Sequence, residues 1–287
     1  MPRPKPLPTT MPAVPVVPET AASAQMRAYY TQVQTSLLAQ GLLRTDGGGV
    51  DTPFTDRILA ETFLKIALFN EYTRTGTVTL QQESGSILRR WQTPVRVGLR
   101  FGASVPADKR ATDTARVSSY LARLAGLTGL SIRLDDAQPN FYVYFVSEDE
   151  RQALGPAMHA ALPQLSNGEI SDIVNLPRST YCVALTQSAG GGGVYNRAFI
   201  VIRAEHPDLL RLSCIHEEIA QALGLPNDSP QARPSIFNDD EEFALLTRQD
   251  EMMLRMLYNP ALRPGMTITQ ARPIVEALAT SLRGGAS

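Results

Sequence analysis

The sequence predicts an α+β fold, a mixed α/β arrangement in which a twisted mixed sheet carries one long helix, preceded by N-terminal helices. Three observations carry that expectation. Between residues 91 and 257 the chain orders itself β-α-β-β-α-β-α-loop-α. Residues 91–101 set Val95, Val97, Leu99 and Phe101 against Arg96, Gly98 and Arg100, the period-two signature of a half-buried strand. Residues 206–225 form an unbroken helical stretch that stops at Gly224 and Pro226.

The remaining elements follow in chain order. Residues 2–18 are so rich in proline that they suit an extended, polyproline-like tether and no packed core. Residues 22–41 read as a helix ending at a glycine, and residues 47–49 as a glycine turn. A second helix is expected over residues 55–72, with Ile58, Phe63, Ile66, Ala67 and Phe69 near 3.6-residue spacing. Pro94 confines the strand that follows to an edge or to its own start. Residues 108–127 carry an apolar stripe through Val117, Tyr120, Leu121 and Leu124. Short strands are expected at 131–134, 141–146, 179–185 and 198–203, and a helix over 148–162. Thr247 with Asp250 three residues on forms a capping box for a last helix, in which Met252, Met253 and Met256 are core residues. These elements divide into a tether (1–21), a helical arm (22–87) and an α/β domain (88–287).

Composition narrows the function. A formal net charge of −1 with no lysine-rich run gives no electrostatic footprint for nucleic acid or for an acidic membrane. No apolar stretch reaches the ~18 residues of a membrane span, and the N-terminus lacks the apolar core of a signal peptide. Two readings stand: a cytoplasmic protein, or an exported one whose signal segment has been removed. The proline-rich tether favours export to the periplasm or cell envelope, and leaves open a lipid anchor ahead of residue 1. The two cysteines, Cys182 and Cys214, fit one disulfide or two buried thiols equally well. Four glycines at 190–193 form a turn and lack the frame of a phosphate loop.

The most informative stretch is Cys214-Ile-His-Glu-Glu-Ile-Ala-Gln-Ala-Leu-Gly-Leu-Pro-Asn-Asp228. With Gly224 at its glycine, the stretch is similar in spacing to the metzincin signature H-E-x-x-H-x-x-G-x-x-H. The three histidine positions are then Glu217, Gln221 and Asn227, and the general-base glutamate is Glu218. Downstream, residues 233–239 resemble the metzincin Met-turn with Phe237 at the methionine. Residues 246–258 resemble the closing helix. The resemblance spans residues 88–265, and it favours the Cys182–Cys214 bridge. In the chain-entropy model a loop of ~30 residues contributes on the order of 3 kcal/mol. The pattern E-E-x-x-Q-x-L-G-L-x-N-D, then S-I-F-N-D, then L-Y-x-P-x-L-x-P-G-M, also resembles an uncharacterised bacterial domain-of-unknown-function family.

What the resemblance implies is a metzincin-like (zincin-like) fold without working zinc chemistry. Zinc takes thiolate, imidazole and carboxylate, and amide oxygens serve it poorly. His216 lies ~100° around the helix from the first ligand position and reads as structural. The leading expectation is therefore a pseudo-metalloprotease with no cofactor, binding a protein or peptide partner along an edge strand near 198–203. A hydrolase using Glu217, Glu218 and Gln221 is one alternative, with Glu217, Asp228 and Asp239 or Asp240 as an oxygen-rich metal set. A structural subunit of an envelope complex, docking through residues 22–72, is another.

Overall fold

The computed structural model describes residues 19–75 and 78–284, so most of the expected tether lies outside the described residues. Two helices open the chain, α1 (Ala21–Ala39) and α2 (Asp56–Leu68), each capped by a threonine side chain, Thr20 and Thr55. An antiparallel hairpin follows, β1 (Phe69–Thr75) and β2 (Val78–Gly85). The α/β region then runs β3 (Arg90–Trp91), β4 (Val95–Phe101), α3 (Ala107–Thr128), β5 (Ile132–Leu134) and β6 (Phe141–Val146). After it come α4 (Glu148–Gln152), α5 (Gly155–Ala161), α6 (Asn167–Val174), β7 (Cys182–Ser188), β8 (Val194–Arg203) and α7 (Asp208–Gly224). Two helices close the chain, α8 (Arg248–Leu257) and α9 (Ile268–Gly284).

The main sheet is mostly parallel, in the order β5-β4-β6-β8, with β3 parallel to the first residues of β8 and β7 antiparallel along β8. One face packs on α3 and α7, and that core continues without a break into α2, α8 and α9. Phe63, Ile66 and Leu68 of α2 share it with Trp91, Ile219 and Leu257, so the apolar interior crosses residue 88, where the arm was expected to end. The opposite face of the sheet packs Phe199 and Val201 on Leu154, Met158 and Ile173, from the segment containing α4 to α6.

Several expectations change. The strand at 198–203 is interior, paired with β6 on one side and β7 on the other, and its six residues are all buried. The glycine turn folds β7 back outside it, so β7 takes the edge position, and all seven of its residues are half-buried. The helix expected over 55–72 stops at Leu68, because partners elsewhere take its last carbonyls: Asn227 bonds those of Lys65 and Ile66, and the Ser86 N–H that of Leu68. The helix expected over 148–162 is two, since Pro156 in the first turn of α5 cannot continue α4. The Thr247–Asp250 capping box is present, and Met252, Met253 and Met256 lie in the core. No helix among the described residues is long and apolar enough to cross a membrane.

Candidate functional site

The residues singled out from sequence cluster around the second half of α7 and the chain that leaves it. Gly224 makes that exit. Its φ is +125°, and a Cβ there would stand 2.3 Å from the Arg89 carbonyl oxygen and 3.0 Å from Leu257 Cδ2. Only glycine fits so close a backbone approach. Two neighbouring carbonyls of the last turn are also claimed, Ala222 by Trp91 Nε1 at 2.9 Å and Leu223 by the Tyr258 hydroxyl at 2.7 Å. The end of α7 is thus clamped by β3 and α8.

Of the three positions that the resemblance sets at metal ligands, Gln221 and Asn227 turn their side chains to different partners. Gln221 donates to both carboxylate oxygens of Asp228, at 3.1 and 3.2 Å. Asn227, 1% exposed, donates its side-chain amide to Lys65 O at 3.0 Å and its backbone N–H to Ile66 O at 3.2 Å. It therefore serves as the C-terminal stop of α2. Glu217 is half-buried one turn before Gln221, and Glu218 is 4% exposed. No group of three or more His, Cys, Asp or Glu side chains able to hold a metal ion occurs among the described residues. The set Glu217, Asp228 and Asp239 or Asp240 is accordingly not assembled.

The loop beneath is organised by Asp250, which is fully buried. Its carboxylate accepts from Ser235 Oγ at 2.5 Å, Ile236 N at 3.0 Å, and Thr247 N and Oγ1 at 2.8 Å each. Burial pushes its pKa up to about 6 even though these donors pull it down. Phe237, fully buried, follows this turn and joins the main core. His216 is structural: Nδ1 accepts from Leu246 N at 3.2 Å, and the ring stacks on Tyr120 at 4.0 Å. Burial first, then the Arg123 charge, lowers its pKa to about 3. Sequence reading found Asp250 as a cap but missed its hold on the 235–236 turn, which is a long-range contact with no local signature.

The disulfide joins Cys182 of β7 to Cys214 of α7, with Cα atoms 5.9 Å apart across a separation of 32 residues. It fixes the outermost strand to the helix. A polar cleft lies away from the Glu217–Gln221 face. It encloses about 560 Å³ at the far end of β7, between the glycine turn, the α5–α6 segment and residues 87–89. Gln164, Gln187, Ser188 and Gly191 line it, and the buried Tyr195 stands on its wall. A β-bulge interrupts β7–β8 pairing between Gln187 and Ser188 at this cleft. The bulge and the open edge leading to it were not read from sequence; the glycine turn between two apolar runs was the available signal.

The sequence profile of a family described as "Protein of unknown function (DUF2927)" matches residues 56–277. That span takes in α2 through most of α9 and leaves α1 outside. Comparison with curated proteins finds no match.

Proposed function

The chain belongs to the DUF2927 family, and we propose that it is a catalytically degenerate, metzincin-like binding protein of the cell envelope that takes up an extended peptide segment along β7. The observation that carries the proposal is the position of β7: among the described residues it pairs with β8 on one side only, and it runs directly into the polar cleft. An edge strand offers a row of backbone donors and acceptors, and an added strand satisfies them, while a flanking pocket selects side chains. Strand order from β4 to α7 supports the metzincin-like reading. The donor set supports the absence of zinc chemistry, because Gln221 and Asn227 spend their amides on Asp228 and on α2. These residues do not fit a zinc site. The Cys182–Cys214 bridge supports an oxidising compartment.

The test uses a displayed library of random dodecapeptides, selected on the full chain. A selected peptide is then resynthesised with N-methyl groups on alternate residues, which removes backbone donors and leaves every side chain unchanged. One of the two methylation registers is expected to weaken binding on the order of tenfold or more, and the other much less. Equal affinity of both methylated peptides and the parent would refute strand addition, and so would failure to select any peptide.

A further inference from the structure

Beneath α1 lies a buried polar group of residues that peptide binding does not use. His206 is 2% exposed, with Nδ1 standing 3.7 Å from Cys214 Sγ. Its Nε2 meets no hydrogen-bond partner among the described residues. Tyr30 of α1 covers the ring edge-on at 4.4 Å, and Tyr181 stands at 6.2 Å. Glu205 beside it accepts from Ser23 Oγ and Glu148 N, each at 2.7 Å, while its second oxygen has no partner among the described residues. Arg203 pairs with Glu148 at 2.5 Å and Arg211 with Asp113 at 2.8 Å. Burial first, then the charges of Arg211 and Arg203, hold the imidazole well below its usual range, so it is neutral.

A buried imidazole whose one polar contact among the described residues is a disulfide sulfur is poorly satisfied, because such sulfur is a weak acceptor. A thiolate at the same place would be a strong one. We propose that Cys182–Cys214 is an exchangeable disulfide, opened by an external dithiol, with Cys214 leaving as a thiolate that accepts the Nδ1–H of His206. Cys182 is half-buried on the outermost strand and Cys214 is 2% exposed, which directs attack to the Cys182 sulfur. A thiolate of the dithiol forms a bond to Cys182 Sγ, and the electron pair of the broken S–S bond passes to Cys214 Sγ. The second thiol of the dithiol, deprotonated, then displaces Cys182 as a thiolate and closes the reagent's own disulfide. The protein gains two electrons and the dithiol loses two, and its two protons pass to solvent or to the freed cysteines. Opening the bridge frees β7 from α7, so the same strand proposed to bind peptide becomes redox-responsive. The exchange itself does not depend on that function.

The experiment equilibrates the full chain with graded ratios of reduced to oxidised dithiothreitol, followed by alkylation, mass measurement and far-ultraviolet circular dichroism. The bridge is expected to open with the dichroism unchanged, and His206→Phe is expected to shift the equilibrium toward the disulfide on the order of tenfold. An independent reading needs no change at His206: Cys182→Ser leaves Cys214 as the one thiol, whose thiolate absorbance should titrate below the ordinary value of about 8.5. Opening only as the dichroism collapses, an unchanged equilibrium in a folded His206→Phe, or a Cys214 titration at or above that value would overturn the proposal.

Discussion

The last turns of α7 and the outer edge of β7 lie on either side of one disulfide, and their polar groups have opposite fates. On α7 the amide of Gln221 goes to Asp228 and that of Asn227 to α2, while Trp91 and Tyr258 take the last carbonyls. Each of these groups holds two elements together. On β7 every residue is half-buried and, among the described residues, pairing runs along β8 alone. Polar groups that close the fold have little left for a ligand, whereas an unpaired edge beside a cleft has its donors still to give. Gln221, Asn227 and the last carbonyls of α7 thus serve the fold.

Substitutions can break that contrast. Gly224→Ala should have the largest effect, about 3 kcal/mol or more, since it combines strain at positive φ with a clash against the Arg89 carbonyl. A melting curve within a few degrees of wild type would show that α7 is not clamped as described. Asn227→Ala should cost about 1–2 kcal/mol through the lost stop on α2, and leave the affinity of a selected peptide unchanged. Lost affinity without lost stability would move the ligand onto the α7 face.

The acidic groups below α7 sharpen the contrast through pH. Burial, with Asp240 and Asp239 alongside, pushes Glu241 up to about 7, and burial pushes Asp250 up to about 6. Both hold a proton in the folded chain where the unfolded chain has lost it. Their contribution is therefore present at low pH and disappears as pH rises from about 4 through 7. Urea unfolding of Glu241→Gln should show a gain on the order of 1 kcal/mol over wild type at pH 8 that vanishes at pH 4. An equal difference at both values would rule out titration as the cause. Smallest should be Gln221→Ala, about 0.5 kcal/mol, because the two hydrogen bonds it removes to Asp228 are only part-buried.

What could be read in the sequence was local. Val95–Phe101 and Phe141–Val146 follow side-chain alternation or apolar runs, and Thr247 with Asp250 marks α8 through cap chemistry that operates within four residues. α9 was missed because Pro273 sits inside it, a residue that ordinarily ends a helix. α6 is eight residues with one buried side chain, too little for a stripe. The hairpin was hidden by a helical period that runs through Phe69 into its first strand. At the site, the motif located α7 and its exit at Gly224, and the resemblance favoured the bridge that the cysteine count alone left open. The destinations of Asn227 and Gln221 depend on α2 and on a loop, and the edge position of β7 depends on a hairpin closing around β8. None of these contacts has a sequence period to announce it.

The most direct test of the central claim is residue-resolved amide hydrogen exchange of the full chain, with and without a selected peptide. Alternate amides of Cys182–Ser188 should slow on peptide addition while those from Glu217 to Gly224 keep their rates. Protection appearing along Glu217–Gly224, with β7 unaltered, would contradict the account and return function to the Glu217–Gly224 face.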